Sequence, residues 1–315
     1  MPPLIRLRNS ASLSPSGPNV RNTKTQVVVP EGKTVAESRE FQYSHKDFQS
    51  IRRLIHDRAG ISLSELKHDM VYSRLARRLR AHGMKRFSDY LELLRLGDEA
   101  EWEAFTNALT TNLTSFFRED HHFELLARHA LRRKPGRDFQ VWCCGCSTGE
   151  EAYSIAMTLL ETFGPLPSGV SILASDVDTQ VLRKAEEGVY PMERVERLGS
   201  ERVRRFFLRG TGAQAGQAKV RPELRALINF RPLNLLASPW SLHKRFDAIF
   251  CRNVMIYFDK PTQTKLVDEI FARALHRDGY LFIGHSESLT GFTKRFQYAA
   301  AFKAPIYTLR KEESP

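Results

Sequence analysis

Val141-Trp-Cys-Cys-Gly-Cys-Ser-Thr-Gly-Glu-Glu151 is the stretch on which the fold turns. A short apolar run, Phe139–Cys143, stops at Gly145, and a helical period runs over Ala152–Phe163. A glycine loop between strand and helix lets a ligand approach the backbone closely, and the helix start adds free N–H groups. A phosphate is the usual guest of such a helix start. Here Glu150 and Glu151 occupy it and would repel one. Two carboxylates suit a cation instead, and one of them is expected only to favour the helix dipole.

The chain after Asp138 repeats this alternation. Val170–Ser175, Ile228–Pro232, Phe246–Cys251 and Tyr280–Gly284 read as strands, with Thr179–Glu187 and Thr262–Leu275 as helices. Alternating strand and helix predicts an α/β fold, a parallel sheet covered on both faces. Pro305–Arg310 reads as a last strand at an antiparallel edge. Residues 189–226 break the pattern; glycine turns among short basic strands predict an inserted hairpin. Asp176, at the end of the second strand, is placed to accept hydrogen bonds from ribose hydroxyls. Asp178 should face the other way. Asn234 and Leu235 follow the third strand, where an amide and an apolar side chain can frame an adenine; a simple turn role for Asn234 competes.

Before this region the texture is helical. Phe48, Ile51, Leu54 and Ile55 form one stripe behind the N-cap Ser44, ended by Gly60; Met70, Leu75 and Leu79 form a second, ended by Gly83. Ser88–Leu96 and Trp102–Leu113 predict two more helices. The division expected is a leader over 1–38, rich in Ser, Pro and Asn and without structure save a short strand at Val27–Val29, a helical domain and linker over 39–130, and the α/β domain over 131–315.

The formal net charge of +12 calls for acidic partners. Arg74, Arg77 and Arg78 fall on one side of the second helix, where they can dock an acidic surface. No apolar run approaches the roughly 18–20 residues of a membrane helix, and no signal-peptide core is present, so a cytoplasmic protein without membrane insertion is expected. Three of the four cysteines, Cys143, Cys144 and Cys146, crowd one stretch with no histidine at zinc-finger spacing. Reduced thiols and no metal are the expectation.

Five segments stand in order: Thr110-Thr-Asn-Leu-Thr-Ser-Phe-Phe-Arg-Glu119, Trp142-Cys-Cys-Gly-Cys-Ser-Thr-Gly-Glu-Glu151, Ala174-Ser-Asp-Val-Asp178, Phe246-Asp-Ala-Ile-Phe-Cys-Arg-Asn-Val-Met-Ile-Tyr-Phe258 and Gly284-His-Ser-Glu-Ser288. Together they resemble the chemotaxis receptor methyltransferases, the CheR family, over residues 41–311. The resemblance implies a Rossmann-like class I methyltransferase domain with an inserted small β-subdomain, behind a small all-helical domain. It implies S-adenosylmethionine as cofactor, S-adenosylhomocysteine as product, and methyl transfer to glutamate side chains of the chemoreceptor cytoplasmic helical bundle. Cofactor contacts carry over to Asn112, Thr114, Arg118, Glu151, Asp176, Asn234, Leu235, Arg252 and Asn253. Arg118 then orients a carboxylate, and Tyr257 donates a hydrogen bond near the reacting centre. Ala152 replaces a frequent family proline, and Cys143 and Cys144 replace small residues. The insert is similar in length to those of members that dock on a receptor C-terminal tether. A nucleic-acid methyltransferase is the main rival; Cys251-Arg-Asn-Val254 lacks the Asn/Asp-Pro-Pro-aromatic pattern of exocyclic-amine enzymes, so no nucleic-acid partner is expected. A serine hydrolase built on Gly284-His-Ser-Glu-Ser288 lacks the final glycine of the nucleophile elbow. A non-catalytic receptor adaptor would have no need of the matched cofactor positions.

Overall fold

The computed structural model describes residues 39–133, 136–165, 167–237, 244–300 and 304–311. The leader and its strand at Val27–Val29 lie outside the described residues.

Four helices open the described chain: α1 (His45–Ala59), α2 (His68–Ala81), α3 (Phe87–Arg95) and α4 (Glu99–Leu109). Ser44 and Asp47 form a reciprocal capping box at the start of α1. Gly60 ends it at φ 71°, where a side chain would sit 2.1 Å from Leu236 Cδ1 of the following domain. The stripes read from the sequence close into one core, with Phe48, Ile51, Ile55, Leu75, Leu79, Tyr90 and Phe105 buried. Inside it, Glu101 of α4 accepts from Arg78 Nε at 2.9 Å, His82 Nε2 at 2.8 Å and Tyr90 Oη at 2.6 Å. Burial would raise its carboxyl, but these donors outweigh burial and hold it at about 2.

Helix α4 stops at Leu109, four residues short of the expected Leu113. Thr110 is extended, and Leu113 is 80% exposed. The physical cause is Arg74, whose guanidinium donates to the carbonyls of Leu109 (2.9 Å) and Thr110 (2.6 Å) and to Thr111 Oγ1 (3.1 Å), which satisfies the free carbonyl end of α4 and turns the chain aside.

Helix α5 (His121–Ala130), inside the 39–130 span read as helical domain and linker, buries Phe123, Leu126 and Ala130 in the core of the α/β domain.

The main sheet contains β1 (Phe139–Cys144), β2 (Val170–Asp176), β6 (Ile228–Pro232), β7 (Phe246–Cys251), β8 (Leu275–Ile283), β9 (Phe296–Tyr298) and β10 (Ile306–Leu309) in the order β6-β2-β1-β7-β8-β10-β9. The first five are parallel; β10 runs antiparallel to β8, and β9 antiparallel to β10. The last strand is thus antiparallel as expected but not the edge. Three-residue β9 covers it, too short a run to signal a strand by itself. Helices α6 (Glu150–Phe163) and α7 (Thr179–Glu187) flank the sheet. The expected Thr262–Leu275 helix is present as α11 (Lys260–Lys265), a π-turn over Leu266–Phe271 and a last turn to Ala274.

The insert is more than a hairpin. Strands β3 (Val189–Pro191), β4 (Phe207–Arg209) and β5 (Gln217–Val220) form an antiparallel sheet ordered β3-β5-β4, with α8 (Met192–Glu196) and α9 (Ser200–Phe206) between β3 and β4 and α10 (Pro222–Arg225) after β5. Tyr190 donates to the carbonyl of Thr148, and Arg194 pairs with Glu150 at 2.8 Å, so the insert is fastened to the glycine loop.

Glu101→Ala leaves the Arg78 charge and the Tyr90 hydroxyl without their acceptor. We expect a loss of about 3 kcal/mol in stability, read as a lower urea midpoint.

Candidate active site

The loop after β1 is held open by backbone conformation. Gly145 (φ 65°), Ser147 (φ 50°) and Gly149 (φ 96°) all lie in the left-handed region. A side chain at Gly145 would sit 2.5 Å from Val254 Cγ2, so glycine is what lets the two cleft walls approach. Cys143 and Cys144 point into different cores on opposite sides of the sheet, and all four cysteines are free and buried.

Asp176 sits opposite this loop at the end of β2. Its two oxygens accept from Ser147 N at 2.8 Å and Asp178 N at 2.9 Å. Burial outweighs these bonds and raises its carboxyl to about 6. The adjacent glutamates separate. Glu150 is fully buried against Arg194 and the Thr148 hydroxyl. Glu151 lines the cleft, its carboxyl raised by burial against the opposing pull of Arg252.

Arg252, just past β7, is buried between two acids, with Nη1 2.8 Å from Glu151 Oε2 and Nη2 3.1 Å from Glu119 Oε2. It also donates to the carbonyl of Arg118. Asn253 follows at φ 58°. That backbone is clamped by Glu287, whose carboxylate accepts from Asn253 N (2.8 Å), Ile256 N (3.2 Å) and Gly284 N (2.7 Å). The non-glycine residues with left-handed φ among the described residues are Phe117, Glu119, Ser147 and Asn253, all in or beside these loops.

The third wall is the chain from Thr110 to Arg118. Asn112 donates its amide to Asp178 (2.8 Å), and its carbonyl accepts from Ser147 Oγ (3.3 Å). Asp178 caps α7, accepting from Gln180 N and Val181 N, and its second oxygen accepts from Thr110 and Asn112. Arg118 donates to the carbonyl of Leu113 at 3.1 Å. Its charge acts on Glu151, and the neighbouring acid Glu119 is taken by Arg252.

These walls enclose a cleft of about 280 Å³. Asn112, Thr114, Arg118, Glu151, Asp176, Asn234, Leu235, Arg252, Asn253 and Tyr257 all line it. Not all are free to contact a guest through their side chains. Asn234 donates to the carbonyl of Arg58 at 2.6 Å and accepts from Leu236 N at 3.0 Å, so its amide acts as a turn and an interdomain tie. The three arginines of α2 also part company. Arg74 holds the end of α4, Arg78 pairs with Glu101, and Arg77 is exposed. The helical period places all three near one side but cannot show that α4 packs over two of them. Glu119 and Glu287 lie inside the segments 110–119 and 284–288, but their partners, Arg252 and the Asn253 and Gly284 backbone, are shown only by the folded chain.

Residues 46–110 match the family model for the CheR methyltransferase all-alpha domain, and residues 112–304 that for the CheR methyltransferase SAM binding domain. The chain belongs to the CheR family. The boundary between the two matches falls where α4 ends, in agreement with the packing of α5. The chain is 48% identical over 296 residues to a chemotaxis protein methyltransferase of Klebsiella aerogenes, covering 93% of this chain and all of that one. It is 49% identical to that of Escherichia coli K12, covering 85% and 92%, and 51% identical to chemotaxis protein methyltransferase 2 of Pseudomonas aeruginosa, covering 80% and 89%. This CheR chain is therefore an S-adenosylmethionine-dependent methyltransferase of chemotaxis. No helix among the described residues is long and apolar enough to cross a membrane.

Because Asp176 titrates near 6 when folded and near its ordinary 3.8 when unfolded, the ligand-free folded state binds the extra proton between those values. Stability contributed by this group therefore falls as pH rises from about 4 to about 6. Asp176→Asn should remove that slope, a relative gain of about 2 kcal/mol at pH 7. Urea unfolding at pH 4.5 and pH 7 measures it; equal slopes in both proteins would contradict the assignment.

Proposed function

We propose that this CheR protein transfers the methyl group of S-adenosylmethionine to glutamate carboxylates on the cytoplasmic helical bundle of chemoreceptors, giving glutamyl methyl esters and S-adenosylhomocysteine. The observation that carries this reading is the charge layout of the cleft. Two acids, half-buried Glu151 and buried Asp176, line it, and Arg118 stands on the lining segment between the two domains, bonded to a backbone carbonyl and in no ion pair among the described residues.

The residues present fit the cofactor. Asp176 keeps acceptor capacity for ribose hydroxyls beyond its two backbone bonds. Glu151 offers negative charge to an α-ammonium, and the apolar side chains of Leu233 and Leu235 can flank an adenine. Bound S-adenosylmethionine supplies an electrophilic methyl group. The chain's own task is then positioning. A glutamate carboxylate is already ionised at neutral pH, its ordinary pKa being ~4.3, so no general base is required. Arg118 can grip a carboxylate through two N–H groups and fix its direction of approach. Tyr257 lines the same cleft and has a hydroxyl to donate. Arg252 holds Glu151 and the 118–119 backbone in place and is a positioning residue.

Receptor docking is assigned to the basic surface that includes exposed Arg77. Arg74 and Arg78 support it indirectly, by fixing the end of α4 and the place of α2. The three-stranded subdomain, with β3 and β4 at its edges, is the candidate for holding a receptor C-terminal tether by strand addition.

The experiment is incubation of the protein with methyl-labelled cofactor and a receptor cytoplasmic fragment. Base-labile label on glutamate is the expected result; base-stable label, or label on nucleic acid only, overturns the reading. Arg118→Ala should lower the rate at least ~100-fold with an unchanged urea midpoint, and a rate near that of the parent would remove Arg118 from the mechanism.

A further inference from the structure

Beside the cleft, three histidines from two segments meet. His121 and His122 begin α5, and His285 lies in the loop after β8. One ring nitrogen from each can be chosen so that all three lie within 4.8 Å of one another. His121 Nε2 and His285 Nε2 are 3.0 Å apart, and their rings stack at 17°. Glu119 Oε2 is 4.0 Å from His285 Nε2 and 3.7 Å from His122 Nδ1. Both ring nitrogens of His122 and Arg252 Nε are buried without a hydrogen-bond partner among the described residues, while Glu119 Oε2 is held by Arg252 Nη2 at 3.1 Å. They belong to one knot, although buried polar atoms are normally paired. His122 is fully buried, while His285 is half exposed and gives a path inward.

We propose that His121, His122 and His285 form a binding site for a divalent zinc-type cation, with a water as fourth ligand. Three imidazoles make a borderline-soft nitrogen donor set suited to this class of ion, with one position left for water. Two nitrogens on one tetrahedral zinc, each bonded at about 2.0–2.1 Å, lie some 3.3–3.4 Å apart, within a small shift of the 3.0 Å between His121 and His285. Binding exchanges the hydrogen bond between His121 and His285 for two metal bonds, with both rings protonated at Nδ1. The Arg252 charge opposes a cation, but it is offset by Glu119 and Glu151, which meet it from two sides. A bound ion would tie the segment following Arg118 to the loop that carries Glu287, stapling two lips of the cleft.

The test uses the full chain without a histidine tag, stripped with a chelator and titrated with zinc chloride against a chromophoric competitor. One zinc per chain, a thermal midpoint raised by zinc, and visible d–d bands of a four-coordinate site with cobalt(II) are expected. His285→Ala and His121→Gln, which leave buried His122 and every cysteine in place, should each weaken zinc binding at least about tenfold. The proposal is overturned if the parent holds no stoichiometric zinc, which would leave water as the partner of the knot. It is equally overturned if both variants bind as the parent does, which would place the metal on the cysteines.

Discussion

The site depends on one buried guanidinium. Arg252 lies at the end of β7 with almost no exposure, and it is tolerable there only because Glu151 of α6 and Glu119 of the linking segment meet it from two sides. An unpaired buried charge costs several kcal/mol, so each member of this trio enforces the place of the others. Through it the glycine loop, the helix that follows, the fourth parallel strand and the backbone carrying Arg118 become one unit. The raised carboxyl of Glu151 belongs to the same arrangement: it is buried deeply enough to resist ionisation and kept near a cation that favours it.

Strain is distributed around that trio. Ser147, Asn253, Phe117 and Glu119 adopt a backbone conformation that costs about 1–3 kcal/mol for ordinary residues. Each is held by its surroundings. Ser147 N–H is tied to Asp176, Asn253 N–H to Glu287, Phe117 N–H to Ser154 Oγ, and Glu119 to Arg252. The sheet supplies the stability that such loops draw upon, with Trp142, Phe250 and Phe282 fully buried.

The chain's many arginines are in large part internal fasteners. Arg74 closes α4, Arg78 satisfies Glu101, Arg137 pairs with Asp247 and Asp278, and Arg194 binds the insert to Glu150. Net charge alone therefore overstates the basic surface offered to a partner. Planar, multiply donating guanidinium groups suit this use, since each can hold a carboxylate or several carbonyls at once.

Local chemistry was enough to place most elements. The capping box at Ser44, the glycine stop at Gly60, the strand–glycine–helix passage around Gly145 and the alternation of strands and helices are short-range patterns, and the folded chain keeps them. The roles of Asn234, Arg74 and Arg78 were not legible, because their partners lie far along the chain: Asn234 meets Arg58, Arg74 meets Leu109, and Arg78 meets Glu101. The same holds for the short edge strand β9, whose pairing is with β10, and for α5, whose apolar face reads alike for either core. By itself, then, the sequence determined which segments are helix or strand and which family they compose, since periodicity and turn chemistry act between neighbours. Only the tertiary structure decided which polar side chains remain free for chemistry, because a hydrogen bond or ion pair is committed by whatever packing brings within about 3 Å.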